Sequence, residues 1–123
     1  MGVLAVGLVG GLLVERPRVE AGRVVGWEVA WGRSRPFATD MAGFAVSLAH
    51  LLARPTAAFP TRCRRGHLES EFLKDLVGEV GELEPLAEGQ VLVWHTRAEE
   101  VNLKKEDKFL ELRGRRSGEG LEV

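Results

Sequence analysis

The sequence lacks the features of disulfide-rich, nucleic-acid-binding and membrane-spanning proteins. Its single cysteine, Cys63, excludes an internal disulfide framework. Its 17 basic and 18 acidic residues give a net charge of −1, so no overall field attracts the chain to nucleic acid or to anionic lipid. The apolar run over residues 1–14 is shorter than the roughly 20 residues that a membrane-spanning helix needs, and a buried strand fits it better.

Several chemical motifs are absent as well. The three histidines, His50, His67 and His95, are scattered, which excludes a zinc-type spacing. No Asp-x-Asp cluster is present to hold a divalent cation, and Glu106-Asp107 in a lysine-rich run is expected to be a solvated pair. We therefore expect no metal site in this chain. The sequence also has no Gly-x-Ser-x-Gly elbow and no glycine-rich phosphate loop.

What is present is the composition of one ordinary globular domain. Hydrophobic residues make up 45% of the 123 residues and charged residues 28%. The first apolar run predicts a central strand over residues 4–13, with Glu15 at its end, where Glu15-Arg16-Pro17 breaks the strand. A hairpin should follow, with its turn at Glu20-Ala21-Gly22 and its return strand over residues 24–29.

The remainder of the chain alternates between short strand and helix patterns. Residues 47–53 and 68–77 have the spacing of helices, and Glu69 falls in the first turn of the second helix. Residues 42–46 predict a short strand, and residues 91–94 predict a buried one. Residues 98–123 are charged and weakly periodic, and 113–120 should be flexible or loosely docked. The pattern indicates an α/β fold.

Residues 31–48 combine polar side chains with an apolar continuation. Trp31, Arg33, Arg35 and Asp40 are costly to bury, yet the residues that follow head into a core. Such a segment is either a binding site or a solvated loop that Asp40 caps before a buried element. The residues alone leave both interpretations open.

Two basic groups and one carboxylate are further candidates. Arg62, Arg64 and Arg65 precede a helix start, where they suit an anion or form a solvated loop. His95-Thr96-Arg97 follows a strand and is a second group suited to an anion. Glu69, close to Arg65 and His67, is either a general base or a stabilising carboxylate at a helix N-terminus.

These motifs together resemble a known family. VGLVGG, GRVVGW, W-x-x-x-RPF-x-x-DMAGFAVSL, RGHLES-x-FL, ELEP and VLVWHTR occur in this order over residues 6–102. The chain is similar to animal β-1,3-glucuronosyltransferases, inverting GT-A enzymes that make the proteoglycan linker and the HNK-1 epitope. The resemblance implies the C-terminal, acceptor-side portion of a GT-A fold, with a mixed sheet flanked by helices. Residues 1–103 would form this acceptor-binding half, and residues 104–123 a charged tail.

The resemblance implies a role for each matching residue. Glu69 would be the catalytic base that takes the proton from the galactose 3-hydroxyl. The acceptor-binding residues would be Glu15, Trp31, Arg35 and Asp40. The donor-binding residues would be Arg65, His95, Thr96 and Arg97. The implied partners are UDP-glucuronate, a galactose-terminated glycan and a second copy of the chain, and the implied setting is the Golgi membrane.

The sequence also departs from the family's pattern. The family's Mn²⁺ is held by an Asp-Asp-Asp motif, which does not occur in this sequence. From the resemblance we also expect the chain to lack the family's uridine pocket and membrane anchor. We therefore expect that the chain alone does not transfer glucuronic acid. One alternative is a non-catalytic carbohydrate-binding or dimerising remnant. Another is a small anion or nucleic-acid binder that uses the arginine loop, which the near-neutral net charge disfavours.

Overall fold

The computed structural model describes residues 1–123 as an α/β protein with two mixed sheets. The elements are β1 Gly2–Val3, β2 Ala5–Gly7, β3 Val14–Glu20, β4 Arg23–Glu28, β5 Phe44–Ala45, α1 Leu48–Leu52, α2 Leu68–Leu76, β6 Glu84–Pro85, β7 Val91–Trp94 and α3 Glu106–Arg113. The larger sheet has the strand order β4-β3-β2-β7, and the smaller one the order β5-β1-β6. None of the helices is long and apolar enough to cross a bilayer. The predicted α/β class is confirmed.

The first apolar run is central, as predicted, but it is not one long strand. β1 lies between β5 and β6, and β2 lies between β3 and β7. Strand β2 ends at Gly7, because Leu8, Gly10 and Gly11 take positive φ angles of 57°, 65° and 88° and reverse the direction of the chain. The Leu8 N–H donates to the Leu13 carbonyl oxygen at 2.8 Å and closes this turn. We name residues 8–13 the glycine turn.

The glycine turn also corrects the position of Glu15. This residue does not end the first strand; it lies in β3, opposite Val6 of β2. Pro17 does not break β3 either, and it pairs opposite Trp27. Because β2 reaches only Val14 and Glu15, one edge of β3 is free beyond them, and a proline is tolerated at such an edge.

The predicted hairpin is confirmed as β3 and β4. Ala21 and Gly22 at its tip have φ angles of 48° and 76°. Two consecutive positive φ angles are the signature of a type I′ turn, whose twist matches that of the flanking strands. The local sequence therefore suffices to define this part of the fold.

Helix α2 covers the main hydrophobic core. Its Phe72, Leu73 and Leu76 are buried together with Val3 and Phe37. The predicted helix, residues 68–77, differs from the observed helix Leu68–Leu76 by one residue at its C-terminus. The prediction was possible because the apolar side chains recur at helical spacing on one face. The predicted helix α1 is also confirmed, with Ser47 as its N-cap. Removing this core from water is the main source of stability in such a fold.

The chain end is more firmly packed than the sequence suggests. Glu106 is 2% exposed and accepts hydrogen bonds from the Leu13 N–H at 2.7 Å and from Ser117. The expectation that Glu106-Asp107 is a solvated pair was therefore wrong for Glu106. Within residues 113–120, which were expected to be flexible or loosely docked, Ser117 is buried and Arg115 pairs with Glu28, so these two residues are docked onto the fold. The division of the chain after residue 103 stays a prediction.

Strand β7 is less buried than predicted. Val91 is buried, but Leu92 and Trp94 are exposed. The reason is its position, since β7 pairs with β2 on one side only and forms an edge of the larger sheet.

Candidate active site

Two strand ends meet at one edge of the larger sheet. β2 and β7 are parallel, with Gly7 opposite Trp94, and the His95 N–H donates to the Gly7 carbonyl oxygen at 2.9 Å. The glycine turn and the segment His95-Thr96-Arg97 therefore lie side by side. They border a cleft of about 440 Å³, which we name the sheet-edge cleft. Its lining is residues 8–11, 95–97, 99–102 and 104–105. Ligands of α/β sheets commonly bind beyond the carboxyl ends of strands.

The charged side chains of the sheet-edge cleft suit an anionic ligand. Arg97, Lys104 and Lys105 line it together with two carboxylates, Glu99 and Glu100. Of the predicted donor-binding residues, His95, Thr96 and Arg97 all line the cleft. Arg65 lies in the exposed loop before α2 and is not part of the lining, so its role stays a prediction.

Asp40 connects the predicted acceptor segment to this cleft. Its Oδ1 accepts the Ala42 N–H at 3.0 Å and caps the 3₁₀ turn Met41–Gly43, which is the cap expected in the solvated-loop interpretation. Its Oδ2 lies 3.0 Å from His95 Nδ1. The carboxylate of Asp40 thus contacts a residue of the sheet-edge cleft that is distant in sequence.

Arg35 fixes the loop that carries Trp31. Arg35 is 9% exposed, and its guanidinium donates to three backbone carbonyls: Nε to Gly32 at 3.2 Å, Nη1 to Gly66 at 2.8 Å and Nη2 to Trp31 at 3.1 Å. A guanidinium has five N–H groups, so two N–H groups of Arg35 are not used in these three hydrogen bonds. Arg35 therefore joins the Trp31 loop to the residues immediately before α2.

Trp31 presents a large aromatic surface. Trp31 is 46% exposed. Its ring meets His67 edge-on at 6.3 Å between centroids, and its centroid lies 4.9 Å from the Arg35 guanidinium carbon. It also lines a second cleft of about 430 Å³, with Lys105 and Phe109 among its walls. An exposed indole held in place in this way is suited to stacking on the apolar face of a sugar.

Residues on either side of Glu69 in the sequence make three contacts with the predicted acceptor segment. Gly66 accepts from Arg35, and His67 meets Trp31. On the other side, the Ser70 hydroxyl donates to the Phe37 carbonyl oxygen at 2.6 Å. Glu69 itself is half-buried in the first turn of α2. The residues on both sides of Glu69 therefore contact the segment that carries Trp31, Arg35 and Phe37.

Glu15 supports the same segment from β3. Its Oε1 accepts the Ala30 N–H at 2.8 Å, next to Trp31. Burial raises the pKa of the Glu15 carboxyl and outweighs the opposing effects of this hydrogen bond and of the Arg35 charge. The Asp40 charge raises the pKa further. A Cβ at Gly10 would collide with the Glu15 carboxylate, so a side chain at this position would force that carboxylate to move.

Sequence reasoning missed two residues of this region. Lys105 lines both clefts, and its N–H donates to the Gly11 carbonyl oxygen at 3.1 Å. Glu106 holds the glycine turn through Leu13. The Gly10-Gly11 pair inside an apolar run was the available signal for the turn. The structure shows no group of three or more side chains that could hold a metal ion.

Comparison with known proteins gives a consistent result. The sequence model described as Glycosyltransferase family 43 matches residues 1–99. Galactosylgalactosylxylosylprotein 3-beta-glucuronosyltransferase 3 of Cricetulus griseus is 53% identical over 98% of the chain and 36% of that relative. The corresponding enzyme 2 of Homo sapiens is 56% identical over 87% of the chain and 34% of the relative. The Drosophila melanogaster enzyme I is 45% identical over 100% of the chain and 41% of the relative. The chain thus spans between a third and about two fifths of these relatives' length.

Proposed function

The chain belongs to glycosyltransferase family 43, and we propose that it forms the acceptor-binding, base-bearing part of a glucuronosyltransferase. The relatives' names describe a 3-beta-glucuronosyltransferase acting on a galactosylgalactosylxylosyl protein. One observation carries the proposal: contacts of Gly66, His67 and Ser70 hold the start of α2, with Glu69, against residues 31–37.

The acceptor side would bind a galactose-terminated glycan. Trp31 would stack on the sugar, and the unused N–H groups of Arg35 would donate to its oxygens. The carboxylates of Asp40 and Glu15 would accept from its hydroxyls. Glu69 would take the proton of the 3-hydroxyl as that oxygen forms a bond to C1 of the glucuronosyl group. The bond from C1 to UDP breaks at the opposite face, which inverts the configuration, and UDP leaves with the bonding electron pair.

The donor side would place the diphosphate of UDP-glucuronate in the sheet-edge cleft. Arg97 and His95 would offset the negative charge that develops on the departing diphosphate, and Thr96 would donate a hydrogen bond. Arg65 would approach from the loop before α2. Because the residues of this chain do not form a metal site, no step is assigned to Mn²⁺. We further propose a homodimer in the Golgi membrane, and we expect no transfer by the chain alone.

A binding titration tests this proposal. Isothermal titration of the purified chain with a galactosyl-galactose disaccharide should give saturable binding. Losing a hydrogen bond to a charged group costs about 1.5–3 kcal/mol, so Glu69→Gln should weaken binding by roughly 10- to 100-fold. The matched control is Glu71→Gln in the same turn, whose side chain pairs with Lys74 instead.

The outcomes separate the proposal from its alternative. Equal weakening by the two substitutions would contradict the role of Glu69. Self-association of the chain without any disaccharide binding would favour the dimerising remnant.

A further inference from the structure

Asp40 has a carboxylate that both proposed substrates could share. One oxygen caps the 3₁₀ turn through Ala42, and the other meets His95 Nδ1 at 3.0 Å. Each oxygen of a carboxylate accepts about two hydrogen bonds. Asp40 can therefore accept from a sugar hydroxyl without releasing His95. Its side chain is only 17% exposed, so it has little freedom to turn towards one ligand alone.

His95 is fixed from two directions. Its backbone N–H is bound to Gly7, which sets the position of the residue at the end of β7. Its ring Nδ1 faces Asp40, and the geometry assigns the proton to this nitrogen because a carboxylate can only accept. Nε2 is left for a ligand of the sheet-edge cleft, which His95 lines.

An anion in this cleft and the carboxylate of Asp40 would act on the ring together. To donate to a diphosphate, Nε2 must carry a proton, which makes the ring a cation. The Asp40 carboxylate stabilises that cation, and the diphosphate in turn strengthens the Asp40–His95 hydrogen bond. The other charged groups of the cleft, Arg97, Lys104, Lys105, Glu99 and Glu100, are not hydrogen-bonded to Asp40.

We propose that the Asp40–His95 pair couples the two substrate sites, so that a diphosphate in the sheet-edge cleft and a galactoside on the Trp31 face each promote binding of the other. The inference rests on the proposed function, because it assumes that both ligands bind. Asp40 is here a positioning residue for His95 as well as an acceptor ligand. Coupling of this kind is reciprocal, so each ligand must change the affinity of the other by the same factor.

The test titrates inorganic pyrophosphate into the full chain with and without saturating galactosyl-galactose. We expect binding at least about fivefold tighter in the presence of the sugar, the lower end of typical coupling. The reverse titration should give the same factor. Asp40→Asn keeps an oxygen for the cap but removes the charge, and the factor should fall to about one. Glu99→Gln removes a carboxylate of the same cleft, and the factor should persist whatever happens to the pyrophosphate affinity itself.

A second measurement reports on the pair directly. Nitrogen-15 chemical shifts of the His95 ring should show a protonated Nδ1 in the wild-type chain and a change in Asp40→Asn. His50→Gln, which removes a ring bound to the Leu76 carbonyl oxygen, should leave the His95 shifts unchanged.

The outcomes distinguish the inference from the proposed function. If both ligands bind but neither changes the affinity for the other, the coupling is wrong and the proposed function stands. An equal coupling factor in the wild-type chain and in Asp40→Asn would also overturn the inference. If neither ligand binds to the wild-type chain, both the proposed function and the inference fail.

Discussion

The buried carboxylate of Glu106 gives the sharpest prediction about stability. It accepts from the Leu13 and Ser117 N–H groups at 2.7 and 3.2 Å and from the Ser117 hydroxyl. In Glu106→Gln the amide oxygen can replace only one carboxylate oxygen, and the NH₂ group then faces an N–H donor. A buried donor left without a partner costs about 1–3 kcal/mol, and the lost charge weakens the remaining bonds. We expect a loss of about 2–3 kcal/mol in the free energy of unfolding.

The pH dependence adds a second test of the same residue. Hydrogen bonds from Ser117 and Leu13 outweigh the effect of burial and lower the pKa of the Glu106 carboxyl. A carboxyl whose pKa is lower in the folded state contributes its full stabilisation above its unfolded pKa of about 4.3 and loses it as the pH falls through the folded value. The stability difference between the wild-type chain and Glu106→Gln should therefore narrow in acid.

Urea denaturation followed by tryptophan fluorescence at pH 7 and pH 4 measures both effects. The matched control is Asp107→Asn, whose side chain is 88% exposed and should change the free energy of unfolding by less than about 0.5 kcal/mol. The reasoning is refuted if Glu106→Gln is as stable as the wild-type chain at pH 7, or if the difference is the same at both pH values.

Two further substitutions test the support of the Trp31 loop. Arg35→Lys replaces a planar guanidinium that reaches three carbonyls by a single ammonium group. It should lower the free energy of unfolding by about 1–3 kcal/mol in thermal unfolding. An unchanged melting temperature would contradict the role of Arg35 in holding the Trp31 loop. Because the pKa of Glu15 is raised in the folded chain, ionising its carboxyl lowers the free energy of unfolding. This loss is absent below the pKa of Glu15 in the unfolded chain and is complete once the pH has risen through its pKa in the folded chain. Glu15→Gln, whose amide oxygen can keep the Ala30 bond, should therefore be more favourable relative to the wild-type chain at pH 7 than at pH 4, and the opposite order in urea denaturation would contradict the burial argument.

Much of the local structure could be predicted because the determining residues are adjacent in sequence. Ala21-Gly22 defines the hairpin turn, and the spacing of Phe72, Leu73 and Leu76 defines α2. The prediction of one long first strand was wrong because the glycine turn lies inside an apolar run. The glycine turn is held by the hydrogen bond from the Leu13 N–H to Glu106, a residue 93 positions away in the chain.

The candidate site shows the same division between local and distant determinants. Sequence motifs identified the segments that carry Asp40, Glu69 and His95, each from its own neighbourhood. Asp40 and His95 are 55 residues apart, and their contact depends on the parallel pairing of β2 with β7. The hydrophobic periodicity of the sequence does not predict which strands pair. Glu106 was missed for a related reason, since a charged residue in a lysine-rich run gives no sign of its remote partner Leu13.

The central claim is that the half-exposed face of Trp31, whose ring meets His67 two residues before Glu69, receives a galactoside. Amide and indole resonances of the nitrogen-15-labelled chain, followed during titration with galactosyl-galactose, test it most directly. The account predicts saturable shifts concentrated at the Trp31 indole and at the Glu69 and Asp40 amides, with none at the Arg113 amide near the chain end. Saturable binding that leaves the Trp31 and Glu69 resonances unmoved would contradict it, and so would the absence of any shift at saturating sugar.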